Sequence, residues 1–199
     1  MEILYFKVLL ITVLSLVILP EARSSIADSF EEFEVVPDVI PVAPEEALKI
    51  VYPNGLVVNE GEELTPTNVR DTPSVEWVAE QDSYYTLSMS DPDAPSRANP
   101  TSREYLHWLV GNIPGNDVDS GVALAEYIGS APPLASGLHR YVILMYKQEL
   151  GQLDFTEPII NSTTGVGRAQ FRIARFAEKY SLGNPIAGNF FHAQNEDNV

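Results

Sequence analysis

Apolar and polar positions alternate with a period of two from Tyr84 onward, where YYTLSMSD places Tyr85, Leu87, Met89 and Asp91 on one face. Tyr84, Thr86, Ser88 and Ser90 take the other, so an inward apolar row ends on a carboxylate. Leu56–Val58, Ser74–Val78, Glu104–Val110 and Leu138–Tyr146 are also strand-like, and Pro, Gly, Asn and Asp clusters separate them. LHRYVILMY is apolar on both faces, as expected of a central strand covered on both sides, with His139, Tyr141, Ile143 and Met145 sharing one of them. Helical spacing predicts one clear helix over Gly167–Leu182, with Phe171, Ile173, Ala174, Phe176, Ala177 and Tyr180 as its apolar stripe, stopped by Gly183 and Asn184-Pro185. Pro37, Pro41, Pro44 and Pro53 break the earlier chain and allow at most a two-turn helix at Glu45–Ile50. The pattern predicts a mainly β domain without internal repeats.

At the front, Val8–Leu19 is an apolar run of 12 residues, shorter than the roughly 20 that span a bilayer. It predicts a secretion signal over residues 1–24, cut after residue 24 or 27, because Ala22-Arg23-Ser24 and Ser25-Ile26-Ala27 both offer small residues at the accepted spacing. Lys7 is opposed by Glu2, which leaves a retained membrane anchor as the competing reading. Residues 25–35 are then an acidic lead-in, with SFEEFE (Ser29–Glu34) frayed and solvated, and residues 36–199 form one domain. In a chain that enters the secretory path, Asn161-Ser162-Thr163 is a glycosylation sequon; Asn99-Pro100-Thr101 fails because proline holds the middle position.

A chain of 199 residues with 45% hydrophobic and 20% charged positions is ordinary for a globular protein, which excludes disorder, collagen and a membrane bundle. Its 28 acids against 12 bases give a formal charge of −16, so it lacks the basic field that draws proteins to nucleic acid, and no nucleic-acid partner is expected. Most of the excess is N-terminal: Asp28–Asp82 holds 14 acids and 2 bases, Ser83–Val199 12 acids and 8 bases. With no cysteine, disulfides, thiolate metal sites and thiol nucleophiles are excluded, and a secreted form must rely on its core.

The polar groups that need explaining are those set in apolar strands: Asp91, His107 and His139, with Tyr141 beside the last. Singly, each histidine is explained as a satisfied core residue, and Asp91-Pro92-Asp93-Ala94-Pro95 as a turn whose aspartates accept backbone N–H bonds. Together they could converge on one cavity if their strands are neighbours. A divalent metal would suit two histidines and a carboxylate, but the usual close spacings H-x-H and H-E-x-x-H do not occur. A serine hydrolase would need a G-x-S-x-G turn, which is missing, although Ser88, Ser90, Ser96 and Ser136 lie near the candidate groups. The third reading is an anion pocket in which imidazole and backbone N–H groups and the Tyr141 hydroxyl donate to phosphate oxygens while Asp91 orients a histidine or accepts from a ligand ammonium. Gly165-Val166-Gly167 reads as a helix entry, and Arg168, Arg172, Arg175 and Lys179 as the solvent face of that helix.

DPDAPSR (Asp91–Arg97), REYLHWLVGNIPG (Arg103–Gly115) and GLHRYVILMYKQ (Gly137–Gln148) make the chain resemble the phosphatidylethanolamine-binding protein family. Its signatures D-P-D-x-P and G-x-H-R stand here as Asp91–Pro95 and Gly137–Arg140, and the match runs from about Val36 to Phe191. The resemblance implies two antiparallel sheets with short peripheral helices, and a small pocket for phosphate or a phosphorylated head group such as phosphorylethanolamine. It implies Asp91, His107 and His139 at the pocket's centre and Pro95, Pro132 and Tyr141 at its rim. It implies no catalysis, no cofactor and no metal, a monomer, and a role as signalling modulator or as inhibitor of a kinase or serine protease. The signal-like front points to a secreted, extracellular form, and the end at Val199 gives no counterpart of the mammalian C-terminal helix.

Overall fold

The computed structural model describes Ser25–Asn198, so the expected signal segment 1–24 lies outside the described residues. Among these residues, no helix is long and apolar enough to cross a membrane. In chain order the strands are β1 (Glu46–Ala47), β2 (Lys49–Val51), β3 (Ser74–Glu76), β4 (Tyr84–Asp91), β5 (Tyr105–Pro114), β6 (Val122–Ala125), β7 (His139–Gln148) and β8 (Ala187–Ala193). Six of them form one sheet in the order β1-β8-β7-β4-β5-β6, and β2 pairs with β3 in a second. All pairings are antiparallel except β1 with β8 at the edge. The mainly β, two-sheet architecture is as expected, with the second sheet reduced to two strands.

Periodicity in β4 and β7 settles which side chains face which layer. Tyr85, Leu87, Met89, Tyr141, Ile143 and Met145 pack in one cluster with Leu48 and with Ile50 and Val75 of the small sheet. Val142, Leu144 and Tyr146 face the other way, onto Phe30, Ile173 and Phe176 from the helices. Both faces of β7 are therefore buried, which is why its sequence runs apolar without alternation.

Four expectations need correction. The acidic lead-in is an amphipathic helix α1 (Ile26–Glu32), closed by a reciprocal cap between Ser25 and Asp28, and followed by the short turn α2 (Val35–Asp38). Its Phe30 is fully buried and meets Phe190 edge-on at 5.3 Å, while Glu31 and Glu32 stay in water. Burial of one such ring stabilises by about 1.5–3 kcal/mol, which outweighs fraying. Gly188 makes this docking possible, since a Cβ there would lie 2.9 Å from the Phe30 ring. Glu45–Ile50 is strand rather than helix, because the Leu48 amide donates to the Gly188 carbonyl at 2.9 Å. Leu56–Val58 contributes only a bridge from Val57 to Val51.

The fourth correction concerns the predicted long helix, which shrinks to α3 (Ile173–Lys179) with Ile173, Phe176 and Ala177 buried and Ala174 exposed. The chain before it is irregular because Arg168 is not a solvent-facing helical residue. Its guanidinium is fully buried and donates to the carbonyls of Leu106, Glu126 and Asn161 at 2.9–3.0 Å, and to that of His107 at 3.3 Å. Burial lowers its pKa from the ordinary arginine value.

A second buried arginine ties strand to loop. Arg140 donates from Nε to Asp93 Oδ2 at 2.9 Å and from Nη2 to Oδ1 at 2.7 Å, and both side chains are fully buried. It also reaches Asp38 at 2.8 Å and the carbonyl of Phe33 at 3.0 Å, fastening the end of α1 to β7. Burial alone would raise the Asp93 carboxyl, but hydrogen bonds and charge from Arg140 outweigh it and hold the group below its ordinary value.

Removing one partner strands a buried charge, which costs about 3–5 kcal/mol. We expect Asp93→Asn to lose about 3 kcal/mol in urea unfolding, and Arg140→Met/Asp93→Asn to lose less than the summed singles. Additive losses would show that the pair is not coupled. Because the folded Asp93 pKa is depressed, its contribution is present above about pH 4, the unfolded carboxylate value, and is lost as pH falls further.

Candidate functional site

The end of β4 and the starts of β5 and β7 lie side by side, since β4 runs antiparallel to both neighbours. That register brings Asp91, His107, His139 and Tyr141 to one cavity of about 250 Å³ at the ends of these central strands. The loops Asp91–Ser102 and Ile128–Pro133 roof it, with Tyr105 at the side.

Strict alternation along YLHWLV would put His107 on the face opposite Trp108. Instead the pairing of β5 with β4 steps from Trp108 opposite Met89 to Leu106 opposite Ser90, leaving His107 as the extra residue of a bulge. Its ring is thereby turned to the same side as Tyr141, which it meets edge-on at 5.1 Å. Arg168 fixes the bulged backbone through the carbonyls of Leu106 and His107.

The hydrogen bonds assign roles to the ring nitrogens. His107 Nδ1 lies 3.1 Å from the Ile128 carbonyl, which can only accept, so Nδ1 carries the proton and Nε2 is left as a lone-pair acceptor in the neutral ring. Burial lowers the His107 pKa from its ordinary value, against an opposing contribution from the Asp91 charge. His139 has Nδ1 at 2.8 Å from Asp91 Oδ2 and Nε2 at 2.9 Å from Ser136 Oγ. Ser136 directs its own proton to the Pro133 carbonyl at 2.7 Å, so its oxygen is left to accept from His139 Nε2. Asp91 Oδ1 accepts from the Asp93 amide at 2.7 Å.

Tyr141 is fully buried, stacks on Phe191 at 5.1 Å, and its hydroxyl has no hydrogen-bond partner among the described residues. Burial, reinforced by the Asp91 charge and opposed by the Ala131 backbone, pushes its pKa far above the ordinary phenol value. The group is therefore a donor without an acceptor. Leaving such a group unpaired costs about 1–3 kcal/mol, an amount a ligand oxygen would recover.

Of the residues singled out in the sequence, Asp91, Pro95, His107, His139 and Tyr141 line the cavity. Pro132 does not: it is buried behind the wall, its carbonyl accepting from Asn195 at 3.0 Å, and Pro133 takes the lining position. Sequence reasoning gave no role to Tyr105 in the wall, to Arg140 and Arg168 as backbone anchors, or to Ser136 against His139. For Arg140 the available signal was its place directly after His139 in G-L-H-R. Among the described residues, no group of three or more His, Asp or Glu is placed to hold a metal ion.

A β-sheet domain with a small His/Asp/Tyr cavity at the ends of its central strands defines a binding-pocket class of protein. The family model described as "Phosphatidylethanolamine-binding protein" matches residues 54–191, and the chain belongs to that family. It is 41% identical over 169 residues to "Putative odorant-binding protein A5" of Drosophila melanogaster, covering 85% of this chain and 80% of that one. Among solved structures it is similar to a carboxypeptidase Y inhibitor complexed with its cognate proteinase (28% identity, TM-score 0.73, 86% of this chain and 95% of that one). The solution structure of CG7054 is 44% identical with a TM-score of 0.67, covering 82% and 93%. A phosphatidylethanolamine-binding protein from Plasmodium vivax, 22% identical with a TM-score of 0.73 over 87% and 98%, shares the fold.

The ligand-free His107 ring should stay neutral with its proton on Nδ1 at pH 6.5, read from ring ¹⁵N shifts. A folded pKa below the unfolded value of about 6.5 means that stability falls as pH drops through 6.5 toward the folded pKa. His107→Gln should flatten that part of the stability profile; an unchanged slope would show that His107 is not the group responsible.

Proposed function

We propose that the chain is a secreted binding protein whose cavity holds phosphate or a phosphorylated head group such as phosphorylethanolamine, without turnover. The observation that carries this reading is the Tyr141 hydroxyl, without a hydrogen-bond partner among the described residues and buried beside His107 and His139 at the cavity. A phosphoryl group offers several strong acceptors to such donors. His107 becomes a further donor once its Nε2 takes a proton, which a bound anion favours.

The chain Ser136–His139–Asp91 has the connectivity of a hydrolase triad, but its proton direction opposes catalysis. The serine hydrogen is spent on the Pro133 carbonyl, so His139 is placed to donate to the serine oxygen rather than to strip its proton. This supports binding over acyl transfer. A second reading, inhibition of a secreted protease, is favoured by the likeness to the carboxypeptidase Y inhibitor. Inhibition assays against a panel of secreted proteases separate the two, because a head-group binder need not inhibit any of them.

Calorimetry of phosphorylethanolamine binding in two buffers of different ionisation enthalpy tests the first reading. We expect uptake of about one proton and an affinity that weakens as pH rises from 6 to 8, by at most about tenfold per unit. His107→Gln should abolish the proton uptake. Equal affinity at both pH values with no proton taken up would eliminate this mechanism, and steady phosphate release would eliminate binding without turnover.

Secretion and glycosylation belong to the same proposal. Asn161, Ser162 and Thr163 are all exposed, and Asn161 Oδ1 accepts from the Thr163 amide and hydroxyl at 3.1 and 2.7 Å. Expression in animal cells should give a product in the medium that begins near Ser25 or Asp28 and gains mobility after glycosidase treatment. Recovery of Met1 on membrane-bound protein would contradict secretion, and unchanged mobility would remove the glycan.

A further inference from the structure

Ser136 lies on the exposed turn between the cavity wall at Pro133 and the start of β7. Its amide and hydroxyl both donate to the Pro133 carbonyl, at 3.2 and 2.7 Å. Positive φ angles on either side, 60° at Ala135 and 78° at Gly137, swing the serine inward while Leu134 and Leu138 point to solvent. The result is an oxygen 2.9 Å from His139 Nε2, the nitrogen that Asp91 does not use. A phosphoryl oxygen accepting from His139 would need that same position, because Nδ1 is committed to the carboxylate and the imidazole has no third donor.

We propose that Ser136 is a built-in competitor of the ligand: its hydroxyl oxygen occupies the His139 Nε2–H, and a phosphorylated ligand must displace it. The inference rests on the head-group reading of the cavity and adds to it an autoinhibitory contact. The exchange is favourable for a phosphate, since a charged oxygen is a far stronger acceptor than a serine hydroxyl. It still subtracts one hydrogen bond from the affinity of every ligand that uses this nitrogen. The empty site gains in return: a buried imidazole N–H, costly if left unpaired, keeps a partner when no ligand is present.

Titration calorimetry with phosphorylethanolamine on the wild type, Ser136→Ala and Ser136→Thr tests the proposal. Both substitutions fall on an exposed turn, and urea unfolding of each verifies the fold. Ser136→Ala should bind about five- to tenfold more tightly, the equivalent of one ordinary hydrogen bond. Ser136→Thr, which keeps the hydroxyl, should stay near the wild type. In wild-type protein, ring ¹H–¹⁵N spectra should show the His139 Nε2–H shifting on ligand addition while Nδ1–H stays in place. Unchanged affinity in Ser136→Ala would show that ligand and serine do not compete. Weaker affinity would show that the serine contacts the ligand directly; either result overturns the proposal. Failure of the wild type and both variants to bind millimolar phosphorylethanolamine would instead overturn the head-group reading, and the competitor role with it.

Discussion

Two adjacent residues of β7, His139 and Arg140, are each held by an aspartate, Asp91 at the end of β4 and Asp93 in the turn after it, and the rest of the molecule is arranged around that double pairing. Successive strand residues point to opposite faces. Asp91 therefore meets His139 in the cavity while Asp93 meets Arg140 on the other side of the sheet. Arg140 and Asp93 are both fully buried charges. Neither is tolerable without the other, so the turn carrying Asp91 cannot leave β7 without exposing a charge to an apolar interior. The ligand site inherits its rigidity from a pair that does not touch the cavity.

Arg168 plays the complementary part on the far side of the site. It carries a full charge into the interior yet its hydrogen-bond partners are carbonyls, which gather β5, the Glu126 region and the Asn161 loop around one guanidinium. Five donors in a fixed plane suit that task, which a lysine could not reproduce. The bulge at His107 is one of the features it secures. The cavity is thus framed by two buried arginines that hold its architecture: the Arg140 charge is paired with Asp93, while the Arg168 charge, bonded to carbonyls, is still felt at His107, where, beside burial, it helps to lower the pKa.

This has consequences for a chain of charge −16. Long-range repulsion of an anion is screened beyond about 8 Å in physiological salt, whereas a hydrogen bond acts at contact inside a low-dielectric cavity. Under the proposed function, capture of a phosphoryl group would depend on local donors: the Tyr141 hydroxyl, the His139 Nε2–H and a proton taken up at His107. The membership in the phosphatidylethanolamine-binding protein family and the lining of the cavity both support the proposed reading of this site.

The period-two pattern in β4 and the two-sided apolar run of β7 were legible in the sequence because each depends only on which face of a strand meets the core. That periodicity alone puts Asp91, His139 and Tyr141 on inward rows. The two signatures were legible as well, since D-P-D-x-P and G-x-H-R contain all four members of the double pairing. What the sequence could not decide is whatever depends on the register between strands. Alternation alone turns His107 away from Tyr141, and only a bulge fixed by β4 and Arg168 returns it. The acidic run at Glu31–Glu34 reads as solvated until Phe30 finds Gly188 and Phe190 on the sheet. Arg168 has the local spacing of a helix surface, and the unpaired carbonyls that draw it inward come from three distant segments. Local periodicity encodes the face a residue presents; the partner it meets there is set by long-range packing, which no window of neighbouring residues contains.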